Sequence, residues 1–216
     1  MFSRALFVLT LALSCLSLGA VIAADAAKPA AAASMTPDQI VAERTRTVLD
    51  TVASQREDFK ADPAKLRAFV KGQLDDVMDR VYSAQLVLAR HARGASQQQV
   101  LAFADALTDS LLRRYADALI ELDPSTETRI LSSTPLRDGE LIRVATQIDR
   151  RGGEPVKVDY LFRQRDGKWM VFDVIVEGIS YVQTYRTQFD ELLRKQSLDE
   201  VIANLKSGKI EVKDAS

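Results

Sequence analysis

The stretch from Val156 to Val176 constrains the fold more than any other part of the chain. Val156, Val158, Tyr160 and Phe162 alternate with Lys157, Asp159, Leu161 and Arg163, and Asp166-Gly167 separates this run from a second one beginning at Trp169. A period of two marks a half-buried strand, and Asp-Gly supplies the positive backbone angles of a two-residue hairpin turn. Counting outward from that turn places Gln164 opposite Trp169, Phe162 opposite Val171, Tyr160 opposite Asp173 and Val158 opposite Ile175. The second strand is apolar on its other face too, through Met170, Phe172, Val174 and Val176. A central strand covered on both faces is therefore expected.

Ile142, Val144, Thr146 and Ile148 alternate with Arg143, Ala145 and Gln147, which predicts an earlier strand, and Glu127–Ser133 is a further candidate. From Thr36 to Leu122 the period is helical instead. Thr36-Pro37-Asp38-Gln39 forms a capping box with Pro at the first helical position, followed by Ile40, Val41, Val48, Leu49 and Val52 on one stripe. Asp62-Pro63 opens a second helix carrying Leu66, Phe69, Val70, Leu74, Val77, Met78 and Val81. Ser96-Gln97-Gln98-Gln99 opens the longest, which Asp123-Pro124 stops. Gly178 and Ser180 break the last strand and start a helix with Tyr181, Tyr185, Phe189, Leu192 and Leu193 on one side. A final helix is capped by Ser197 and carries Val201, Ile202 and Leu205, with Gly208 suited to its C-terminal cap. Helices, a run of antiparallel strands, then helices predict an α+β domain with the helices packed on a curved, mainly antiparallel sheet.

The first 24 residues are of another kind. Arg4 precedes an apolar run from Ala5 to Val21, and Ala23-Ala24 precede Asp25, which reads as a signal peptide cleaved near Ala24. The run is short for a retained anchor and is interrupted by Thr10, Ser14, Ser17 and Gly19. Cys15 follows Ala12-Leu13-Ser14, which puts Leu one place too late for a lipid-attachment box. Cleavage leaves a chain with no cysteine, so stability must come from one packed core. Residues 25–35 form an Ala-rich spacer expected to be mobile, 36–210 a single domain, and 211–216 a tail.

The 216 residues carry 29 basic and 30 acidic side chains, a balance that offers no basic field for nucleic acid. With one histidine and one cysteine, a zinc site of Cys and His ligands cannot be assembled. No metal site is expected. A Ser-His-Asp triad could run only through His91, whose neighbours Arg90 and Arg93 make it read as a solvated side chain.

Trp169-Met170-Val171-Phe172-Asp173-Val174-Ile175-Val176-Glu177-Gly178-Ile179-Ser180, followed by Tyr185-Arg186-Thr187-Gln188-Phe189, resembles the signature of the MlaC family of periplasmic phospholipid-binding proteins, also called the toluene-tolerance family. Val158–Arg163 and Leu205 fit the same pattern. The match is specific from Val156 to Leu205 and colinear back to Thr36. It departs at Leu88-Ala89-Arg90-His91-Ala92-Arg93, where the family has a Leu-Gly pair and an aromatic residue. The resemblance implies a monomeric, non-enzymatic carrier with phospholipid as cargo and no cofactor. It further implies an inner-membrane ABC transporter complex and an outer-membrane lipoprotein complex as partners, and an apolar pocket of NTF2-like character. On this reading Val144, Val158, Tyr160, Phe162, Trp169, Val171 and Ile175 line the pocket, roofed by Tyr181, Tyr185 and Phe189.

A second reading starts from Asp173. A carboxylate opposite Tyr160 in an apolar cone would suit proton abstraction next to a carbonyl, as in a small exported enzyme. The competing role is structural, with Asp173 accepting hydrogen bonds from Tyr160 or from backbone donors near the Gly178–Ser180 helix start.

Overall fold

The structure, a computed structural model, describes residues 35–212 except 124 and 150–152. The expected signal peptide, most of the spacer, Pro124 and residues 213–216 lie outside the described residues. Helix starts follow the side chains that accept free backbone N–H groups. Helix α1 (Pro37–Ser54) begins at Thr36, whose N–H donates to Gln39 Oε1 at 3.0 Å. Helix α2 (Arg56–Ala61) is short, and Asp62 caps α3 (Pro63–Asp75) by accepting from the Ala64 N–H at 3.1 Å. Helix α4 (Arg80–Leu88) runs into a 3₁₀ turn at Ala89–Gly94, and α5 (Gln97–Tyr115) into another at Ala116–Leu119.

Five antiparallel strands follow in the order β1 (Glu127–Leu136), β2 (Leu141–Asp149), β3 (Val156–Arg165), β4 (Lys168–Val176) and β5 (Ile179–Ser180). Asp166 and Gly167, at φ 51° and 75°, make the expected hairpin turn. Gln164 faces Trp169 and Phe162 faces Val171. Beyond them the expected register fails. Phe172 is an extra residue in β4, so Leu161 faces Asp173, Tyr160 faces Val174 and Val158 faces Val176. A bulge of this kind leaves the turn chemistry untouched, and counting from the turn cannot detect it. Glu177 and Gly178, at φ 50° and 84°, make a second tight turn that adds the two-residue β5 before α6 (Tyr181–Leu193) and α7 (Leu198–Lys206).

The single helix expected from Pro63 to Val81 is two helices. Because β5 pairs only with Ile175 and Val176, the other half of that β4 edge is free, and Val77–Asp79 leaves the helix to cover it. Val171 donates to Val77 O and accepts from the Asp79 N–H, both at 2.8 Å. Three apolar clusters then form. Leu88, Phe103, Phe189 and Leu205 join α4 to α7, with the Phe103 and Phe189 rings edge to face at 5.0 Å. Leu66, Phe59 and Ile120 join the N-terminal helices to the end of α5, while Ile40 and Val41 seat α1 on Val144, Phe162 and Val171 of the sheet. Packing continues past Lys206 to Val212, which is buried in the first cluster. His91 is not the free solvated side chain expected: its Nε2 lies 2.8 Å from Asp190 Oδ1, and Arg90 and Arg194 bind the same carboxylate. No helix among the described residues is long and apolar enough to cross a membrane.

Candidate functional site

Where the three clusters fail to meet, two apolar cavities remain. The first, of about 540 Å³, lies between α3, α4, α5, α6 and β4. The second, of about 470 Å³, is bounded by α1, α3 and the residues of β1 to β4 that face them. Val70, Leu74, Met78, Leu119 and Val174 contribute to both, so the cavities adjoin across a shared wall. Two of these residues, Val70 and Leu74, are one helical turn apart on α3 and present one face to both spaces. Met78 is placed by the strand-like segment on β4, and Asp79 locks that segment. The Asp79 carboxylate is 2% exposed and accepts from the Tyr82 N–H, Arg163 and Arg165, while the Arg163 guanidinium sits 4.3 Å above the Tyr82 ring.

The walls carry few charges: Arg80 and Asp173 in the first cavity and Arg44 in the second. Both arginine heads are engaged by polar side chains. Arg80 reaches Asp75 and Asp105 at 3.0 and 2.7 Å, and Arg44 reaches Gln73 at 3.1 Å. Asp173 is buried at the start of α6, where Oδ2 accepts from Ser180 Oγ at 2.6 Å and Oδ1 from the Val182 N–H at 3.1 Å. Burial pushes its carboxyl above the usual carboxylate value, against the pull of those hydrogen bonds. Burial likewise raises the Tyr160 phenol, which is hydrogen-bonded to Thr45.

The acid-base pair of the second reading is therefore not formed. Tyr160 belongs to the second cavity and Asp173 to the first, and the bulge at Phe172 removes their cross-strand pairing. Among the described residues no group of three or more His, Cys, Asp or Glu side chains is placed to hold a metal.

Of the residues that the sequence nominates for the pocket, Tyr160, Phe162 and Val171 line the second cavity and Tyr181 and Tyr185 the first. Val144, Val158, Trp169, Ile175 and Phe189 are in neither wall. Val144 is fully buried beside Tyr160, its cross-strand partner, Trp169 packs against the α1–sheet cluster, Val158 is buried between Thr146 and Val176, Ile175 pairs with Asp159, and Phe189 fills the helical core. Beyond the α6 roof, the contribution of α1 and α5 was not foreseen: Leu107, Leu111 and Tyr115 of α5 and Val48 and Leu49 of α1 also line the cavities. Their apolar periodicity is visible in the sequence, but a stripe facing a cavity has the same spacing as one facing a core.

Comparison with known proteins agrees with this architecture. Residues 42–207 match the family described as MlaC protein. A toluene tolerance protein, ttg2D, of Pseudomonas putida is 25% identical over 168 residues, covering 77% of each chain. The intermembrane phospholipid transport system binding protein MlaC of Haemophilus influenzae is 22% identical over 178 residues, covering 81% of this chain and 83% of that one. A phospholipid-binding protein from Ralstonia solanacearum, solved in complex with a phospholipid, has the same fold, with a TM-score of 0.68 and 24% identity over 77% of this chain and 96% of that one. With its helices gathered on an antiparallel sheet around paired apolar cavities and the family match running through most of its length, the chain belongs to the MlaC family.

Proposed function

We propose that the chain is a periplasmic carrier that moves diacyl phospholipid between the outer and inner membranes, with one acyl tail in each cavity. The observation that carries this reading is the pair of adjoining apolar cavities, about 540 and 470 Å³, divided by Leu74 and Met78. Each buried methylene is worth about 0.8 kcal/mol relative to water, so two tails of roughly 15 carbons bind by well over 20 kcal/mol against water. The donor is a bilayer, which is equally apolar. Exchange therefore sits near balance when the protein offers dry space of comparable quality, and a carrier can both load and unload.

The name of the Haemophilus relative and the lipid held by the Ralstonia protein support phospholipid as the cargo. The carrier acts as a monomer, receiving and delivering lipid through an outer-membrane lipoprotein complex and an inner-membrane ABC transporter complex, and its function needs no catalysis. Organic extraction of protein purified from the periplasm, followed by mass spectrometry, should yield diacyl phospholipid near one molecule per chain. Recovery of protein that is folded and carries no such lipid refutes the reading.

A further inference from the structure

Asp173 is the one acidic side chain in the wall of the first cavity among the described residues. The other charged or titratable groups of that wall are Arg80 on α4, Tyr115 on α5, and Tyr181 and Tyr185 on α6, and α3 contributes none. Arg80 is committed to Asp75 and Asp105, so it does not serve as the counter-ion of Asp173. What holds the Asp173 carboxylate is neutral: Ser180 Oγ and the Val182 N–H at the start of α6, with the Val174 backbone N–H beside them. Tyr181, Val182 and Tyr185 of the same helix continue the cavity wall. The far end of α6 is anchored separately, through Asp190 to Arg90 and His91.

An ionised carboxylate in such a wall is favoured by any water in the cavity and disfavoured when hydrocarbon replaces that water. We propose that loading of the first cavity is coupled to protonation of Asp173, so that the carrier holds an acyl chain more tightly in the protonated form than in the ionised form. The inference rests on the reading of the cavities as lipid sites. Linkage sets its sign: if cargo makes the proton bind more tightly, the proton makes cargo bind more tightly by the same factor. Each pH unit by which loading raises the carboxyl corresponds to about a tenfold difference in affinity between the two forms. Burial pushes this carboxyl upward, in the same direction as the shift that loading would add.

The test is uptake of fluorescently labelled phosphatidylcholine from phosphatidylcholine vesicles, followed between about pH 5 and pH 8, where that headgroup does not titrate. Wild-type uptake should rise severalfold on acidification. Asp173→Asn, which cannot ionise and retains an acceptor for the Val182 N–H, should bind at neutral pH as acidified wild type does, without the slope. Ser180→Ala removes a donor that favours the ionised form and should move the wild-type midpoint to higher pH. Asp190→Asn, outside both cavities, should keep the wild-type slope. A flat wild-type profile, a slope that survives in Asp173→Asn, or an unmoved midpoint in Ser180→Ala overturns the coupling. The last arm decides the matter if Asp173→Asn does not fold. Absence of labelled lipid on wild type at every pH would instead refute the phospholipid reading itself.

Discussion

Replacing Asp79 by alanine tests the lock that places Met78 between the two cavities. The carboxylate is 2% exposed and has three donors: the Tyr82 N–H at the start of α4, Arg163 and Arg165. Loss of a helix cap costs about 1 kcal/mol. Breaking a fully buried ion pair costs about 3–5 kcal/mol, but that figure applies when both partners are cut off from water. Here the Arg163 side chain is 30% exposed and Arg165 48%, so water re-solvates both when the carboxylate is gone. Arg165 then contributes no more than a surface pair, about 1 kcal/mol or less, and Arg163 an intermediate amount. The sum is about 2–4 kcal/mol, which for a domain of this size lowers the melting temperature by roughly 5–15 °C. Circular dichroism melts of Asp79→Ala beside Arg165→Ala measure it directly, the second variant losing about 1 kcal/mol at most. An Asp79→Ala melt within about 2 °C of wild type would refute the assignment of Asp79 as the lock.

Other substitutions probe the cavities and the α6 anchor. Val171→Glu puts a carboxylate in the second cavity at a cost of several kcal/mol unless it is neutralised by a raised pKa, so extracted lipid should fall sharply while the melt shows a folded protein. Undiminished lipid on a folded Val171→Glu protein would remove that cavity from the cargo site. Leu74→Trp adds bulk to the wall that both cavities share, and lipid per chain should drop with a stability change within about 1–3 kcal/mol, read by extraction and melting together. The hydrogen bond from His91, with Arg194 and Arg90, holds the Asp190 carboxyl below its usual value. Its contribution is therefore complete above the ordinary carboxylate range and is lost as pH falls through the lowered folded value. The difference in melting temperature between wild type and Asp190→Asn should be present at neutral pH and close on strong acidification, and a difference that persists in acid would show that the anchor is not ionic.

Much of this protein is written in local chemistry. The α+β class, the Asp166-Gly167 hairpin and the starts of α1, α3, α5, α6 and α7 follow from caps, turn residues and apolar spacing, because each depends on groups within a few positions of one another. The cavity residues were legible in part for the same reason: Tyr160, Phe162 and Val171 share a face by alternation, and Tyr181 and Tyr185 by helical period.

What the tertiary structure alone decided depends on distant partners. The bulge at Phe172 changes the register of β3 and β4 and so decides between the partners the sequence left open for Asp173, which does not face Tyr160 but holds the start of α6 through Ser180 and the Val182 N–H. The break after Asp75 exists because β5 leaves part of β4 unpaired, and backbone groups about ninety positions away satisfy it. The cavities themselves are gaps between clusters. Leu74 on α3 and Leu107 on α5 have the spacing of ordinary core residues, and whether such a stripe meets another side chain or open space is set by how whole elements pack.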